Sequence, residues 1–204
     1  MFAGNIGESQ DFDTLLEAAC LLRDREALHW VIIGSGRDLD RVRAKVVDLG
    51  LKDRFHLLGR YPEEDMPRFF AQADVLIVRL RENDIINLTV PYKIQCYMAC
   101  GQPILAAISG EGARVIRQSA GGIVVSRGQS AEMARAIQRL MDLSPEARQN
   151  MGRQARAYFD RLYTRDLVYG IVSDASAPRF RRCGFSVIPP CKRVLRGDCC
   201  GARY

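Results

Sequence analysis

The chain has few histidines, one tryptophan, no long apolar run and no CxxC cysteine pair, and these shortages remove whole classes of function. No stretch reaches the roughly 20 apolar residues that cross a bilayer, and no secretory leader opens the sequence, so the expected location is cytoplasmic. His29 and His56 lie far in sequence from the cysteines of the tail, and no CxxC or Cys/His pattern has zinc-ligand spacing, so no metal site is expected. A serine, histidine and acid arrangement for nucleophilic hydrolysis is also missing. The first turn lacks GxGxxG and no Walker A lysine follows, which argues against dinucleotide and P-loop binding.

What is present suits one globular domain of 204 residues, 48% hydrophobic and 26% charged, large enough to bury a core without disulfides or metal. The net charge of +6 is local. Arg179, Arg181, Arg182, Lys192, Arg193, Arg196 and Arg203 face a single acid, Asp198, so residues 178–204 carry the whole excess. The rest is neutral, and nucleic acid is not an expected partner. Cysteines divide at the same place: Cys20, Cys96 and Cys100 fall in helical patterns, whereas Cys183, Cys191, Cys199 and Cys200 crowd the tail.

Short apolar runs alternate with amphipathic stretches. The strands predicted are Met1–Ala3, Trp30–Ile33, Phe55–Leu58, Val75–Val78, Pro103–Ala107 and Gly122–Val125, each continuous enough to be covered on both faces. Leu15, Ala18, Ala19 and Leu22 form one helical stripe; Leu39, Val42, Val46 and Leu49 form a second. Met133, Ile137, Leu140 and Met141 form a third, with Ser130 as its N-cap, and Ser144-Pro145 opens a further helix. The pattern predicts an α/β fold with a doubly wound, Rossmann-like parallel sheet.

In such a sheet, ligands bind beyond the carboxyl ends of the strands. There the sequence places Gly4-Asn5-Ile6-Gly7, Gly34-Ser35-Gly36, Gly59-Arg60-Tyr61-Pro62, and Pro91-Tyr92-Lys93 at the head of a helix. A helix N-terminus offers free N–H groups to a phosphate, and Lys93 adds a full charge. Taken singly, each has a structural explanation: glycines permit turns, a lone lysine solvates itself, and His29 and His56 belong to strand edges.

Their order carries more. Thr89 to Ala106 reads Thr-Val-Pro-Tyr-Lys-Ile-Gln-Cys-Tyr-Met-Ala-Cys-Gly-Gln-Pro-Ile-Leu-Ala. Together with Gly4–Gly7, Val31–Gly36, Leu58–Pro62, Met66-Pro67 and Ala73–Leu76, it resembles the C-terminal domain of a family 4 glycosyltransferase of the GT-B fold. The resemblance spans residues 1–167 and looks closest to bacterial O-antigen and capsule enzymes of the N-acetyl-fucosamine transferase type. It implies a donor-binding half that takes a nucleoside-diphosphate sugar, UDP-linked, without metal or cofactor. The glycan or lipid-linked acceptor is implied to bind through a separate N-terminal domain, with peripheral membrane association of the full enzyme. On this reading the fragment alone is inactive. The residues implied for substrate are the Gly4, Asn5 and Ile6 amides, Tyr92 and Lys93 for the diphosphate, Arg60, Tyr61 and Pro62 for the base, and Asn83 or Asn87 for the sugar. Glu111 is the remaining acid near the donor, with a helix-start role as the alternative.

The sequence departs from that family where charge is usual. Asn5 and Gln10 stand for the arginine and lysine of the first loop, Leu88 and Cys96 for two glutamates, and Tyr92 for serine. Two other readings stay open: a non-catalytic nucleotide-binding module, and a nucleotide-sugar epimerase of the same fold. Residues 168–204 show neither structural period and resemble an out-of-frame reading, with a basic arm as the rival.

Overall fold

The structure is a computed structural model that describes residues 1–80 and 87–163. Asn83 and the predicted tail at 168–204 lie outside the described residues. All six predicted strands form, within a residue or two of their expected ends: β1 (Phe2–Ala3), β2 (Trp30–Ile33), β3 (Phe55–Gly59), β4 (Leu76–Arg79), β5 (Ile104–Ala107) and β6 (Gly122–Val125). The helices are α1 (Phe12–Leu21), α2 (Leu39–Asp48), α3 (Met66–Ala71), α4 (Tyr92–Cys100), α5 (Gly110–Gln118), α6 (Ser130–Asp142) and α7 (Pro145–Leu162).

Every ladder is parallel. β1, β2 and β3 pair in that order, with Phe2 opposite Ile32 and Trp30 opposite Phe55; β4, β5 and β6 pair likewise, with Leu76 opposite Ile104. Two hydrogen bonds at Met1 join the groups: its nitrogen donates to Val75 O at 2.7 Å, and Ile77 N donates to Met1 O at 2.8 Å. The strands therefore run 3-2-1-4-5-6, the doubly wound order that reverses between β1 and β4.

Side chains alternate across this sheet and build one core on each face. Phe2, Ile32, Ile77 and Leu105 pack with Leu15, Leu16, Val42 and Met133 from α1, α2 and α6. Ile33, Leu76, Val78 and Ile104 pack with Phe70, Ile94, Met98, Val115 and Ala155 from α3, α4, α5 and α7. Helix starts follow local chemistry. Ser144 caps α7 by accepting from Ala147 N at 3.2 Å. At α6 the expected cap is displaced: Gln129 occupies the N-cap and Ser130 is the first helical residue, because Gln129 takes the non-helical ψ of 82° and its carbonyl accepts the Met133 N–H.

Candidate functional site

The carboxyl ends of β1, β2 and β3 form a glycine rim. Gly4 N donates to Ile33 O at 2.9 Å and Gly34 N to Gly59 O at 2.7 Å. The three residues have φ of 141°, 142° and 80°, backbone that glycine adopts at little cost. A Cβ on Gly34 would lie 1.8 Å from Gly4 O, and one on Gly36 would lie 2.1 Å from Ile6 O, so the first two loops meet backbone to backbone.

Across the reversal point, the sheet opens. Beyond Met1, the partner of β1 is a side chain: Tyr97 Oη accepts from Ala3 N at 3.1 Å and donates to Ala3 O at 3.3 Å. Tyr97 is 1% exposed, lies in α4, and packs edge-on to Phe70 at 5.1 Å. It satisfies both polar groups of Ala3 and fixes the head of α4 above β1. One turn earlier on the same helix, Lys93 extends over the rim. Its Nζ is 4.1 Å from the centroid of the Phe2 ring and 2.8 Å from where a Gly4 Cβ would stand. No carboxylate answers it among the described residues. Burial alone pulls its pKa down to about 8.

The structure brings Gly4 and Lys93 together, while two of the amides named from the sequence have backbone partners. The Gly4 N–H is committed to β2, and the Ile6 N–H donates to Ser35 O at 2.9 Å while the Ile6 side chain is 1% exposed. Neither amide is free for a phosphate, because the first loop is anchored by its own backbone. The N–H groups of Asn5, Tyr92 and Lys93 have no such partner among the described residues. The Tyr92 ring itself points outward and is 59% exposed.

Arg60, Tyr61 and Pro62 are exposed at the end of β3, with Tyr61 edge-on to Phe69 at 4.6 Å. With strands about 4.8 Å apart, this group lies about 10 Å across the rim from Gly4. Glu111 lies elsewhere in chemical terms. It pairs with Arg114 on its own helix, which holds its carboxyl below the usual range. Asn87 is held too: its Oδ1 accepts from Arg127 Nη2 at 2.6 Å, while Arg127 Nε donates to Ser109 Oγ at 3.1 Å. Among the described residues no group of three or more His, Cys, Asp or Glu could hold a metal ion. His29 and His56 stack on the amino-terminal side of β2 and β3, with ring nitrogens 3.0 Å apart, away from the rim.

Two arginines were missed. Arg127 follows β6, and Arg79 ends β4 with its guanidinium buried against Asp11 at 2.7 Å. A charge closing an otherwise apolar strand, at the carboxyl end where ligands bind, was the available signal for Arg79.

The D-inositol 3-phosphate glycosyltransferase of Salinispora arenicola is 31% identical over 150 residues, covering 69% of this chain and 32% of that protein. The chain spans about a third of the length of the curated relatives it matches. Among solved structures, Anabaena HepE in complex with UDP and glucose superimposes with a TM-score of 0.72 at 17% identity, over 85% of this chain and 47% of that one. The isolated C-terminal domain of a group 1 glycosyl transferase from Francisella tularensis (LpcC) does so with a TM-score of 0.68 at 18% identity, over 80% of this chain and 86% of that one. The fold is thus that of a GT-B C-terminal domain. Residues 1–142 match the family described as group 1 glycosyl transferases, and the chain belongs to that family.

Proposed function

We propose that this chain is the donor-binding half of a glycosyltransferase that takes a UDP-linked sugar and delivers it to a glycan or lipid-linked acceptor held by a second domain. The observation that carries the reading is Lys93: a half-buried lysine whose ammonium meets no carboxylate among the described residues, at the head of a helix and over the glycine rim where the strand order reverses. When the sugar leaves, its diphosphate gathers negative charge, and a cation with oriented N–H groups stabilises that charge more than the ground state. On this reading the Asn5, Tyr92 and Lys93 amides and the Lys93 ammonium serve this task, while Arg60–Pro62 offers an exposed edge for the base. UDP is favoured because HepE is described in complex with UDP and glucose. The Thr89–Ala106 block supports a role in cytoplasmic polysaccharide or O-antigen assembly of the N-acetyl-fucosamine type.

The test is a thermal-shift and calorimetric screen of UDP, GDP, TDP and CMP against the chain. UDP is expected to bind weakly and raise the melting temperature by mass action, with CMP, which lacks the second phosphate, weakest. A flat response to every nucleotide at millimolar concentration rejects the donor-binding reading.

A further inference from the structure

Arg79 is a buried charge at the carboxyl end of β4. Its side chain is 2% exposed, and one guanidinium nitrogen, Nη2, reaches Asp11 Oδ2 at 2.7 Å. The other two, Nε and Nη1, are buried with no hydrogen-bond partner among the described residues, as is Oε1 of Gln10, the residue before Asp11. Asp11 itself holds a left-handed backbone at φ 45°, unusual without glycine, and its Oδ2 also accepts from Thr14 Oγ1 at 2.7 Å. A buried cation, three unsatisfied polar atoms and a strained residue therefore meet at one place. Burial lowers the Arg79 pKa to about 10 even with that acid beside it. Apolar side chains of similar volume hold two elements together at lower cost than such a pair.

What the pair fixes is the loop that walls the site. By the alternation of β4, Arg79 faces the α1 side, as Ile77 does in that core. It ties the end of β4 to Asp11, where the loop from Gly4 enters α1, and so spans the strand-order reversal from the side opposite Tyr97. The upstream part of that loop carries the Asn5 N–H, without a backbone partner among the described residues, and the Gly4 floor beneath Lys93. We propose that Arg79 is a positioning residue for the donor diphosphate, setting through Asp11 the loop Gly4–Gln10 against Lys93. This rests on the donor-binding reading above.

The experiment compares UDP with uridine, which lacks the diphosphate, by ligand-observed NMR titration of four proteins. These are the wild type, Arg79→Lys, Arg79→Met and the double variant Asp11→Asn/Arg79→Met. Arg79→Met is expected to weaken UDP roughly ten-fold and leave uridine unchanged, since only the diphosphate end of the site shifts. Arg79→Lys, which retains a cation for Asp11, recovers most of the loss. The double variant leaves no buried charge unpaired, so it melts at or above the wild-type temperature, yet its UDP affinity stays low. It also carries the test if Arg79→Met fails to fold. Wild-type UDP affinity in the folded double variant overturns the proposal, as does a parallel loss of UDP and uridine, which marks a merely structural pair. A wild type that binds UDP no better than uridine rejects the donor-binding reading itself, and the proposal with it.

Discussion

An ammonium that loses water and gains no carboxylate is held at a cost, and among the described residues Lys93 is such a group, with the Phe2 ring beneath it at 4.1 Å. Its geometry depends on a neighbour that reads in the sequence as packing. Tyr97 looks like core, and it is core, but its hydroxyl also serves both polar groups of Ala3. Tyr97→Phe keeps the ring and leaves a buried N–H and C=O at the end of β1 without their partner. The expected loss is about 1–3 kcal/mol of stability, read by urea unfolding. Because α4 is then freed from β1, UDP affinity is expected to fall as well. A variant that loses neither would show that the head of α4 is held in place by apolar packing alone.

At the scale of elements, the strands were legible because each is a short apolar run with turn residues after it. Their order was legible only as a class. The hydrogen bonds of Met1 that set β1 beside β4 leave no periodic trace, and neither does the inward turn of Arg79 towards an acid 68 positions away. The site was legible where it rests on backbone geometry and illegible where it rests on competition for hydrogen bonds. Gly4 and Lys93 were both singled out in the sequence and lie close together, yet nothing in Gly4-Asn5-Ile6 announces that Ser35 takes the Ile6 amide. Glu111 shows the same limit, since an arginine three residues on in the same helix captures it. The glycine rim offers a direct test of how tightly the loops meet. Gly34→Ala would force a Cβ to within 1.8 Å of Gly4 O at a φ of 142°, and only movement of β1 relieves it. The expected cost is at least about 2 kcal/mol, measured by denaturant unfolding, with UDP binding reduced because the Gly4 floor moves. Gly59→Ala has no atom within 4 Å of its new Cβ, so only its φ of 80° opposes it and the loss is expected to be smaller.

For the whole molecule, the site's charge couples binding and stability to pH. Lys93 titrates near 8 in the fold, against 10.5 for an ordinary lysine, because burial disfavours its charged form. Between those values the unfolded chain holds more protons than the folded one, so stability contributed through this residue rises with pH. Below about pH 8 the folded protein bears the full penalty, on the order of 3 kcal/mol for such a shift; above about pH 10.5 the penalty is gone. Other groups titrate in the same window, which makes the informative quantity the difference between the wild type and Lys93→Met. At neutral pH the variant is expected to be the more stable, and the gap to close as pH rises through 8 to 10.5. A bound diphosphate reverses the balance, since it supplies the missing anion and raises the Lys93 pKa. UDP binding at pH 8 should then take up about half a proton, seen as a difference in calorimetric heat between buffers of unlike ionisation enthalpy. Affinity should fall as pH climbs above 8, and Lys93→Met should bind UDP weakly with no proton uptake. A wild type whose UDP affinity and binding heat ignore pH and buffer would place Lys93 outside the diphosphate site, whatever its position over Gly4.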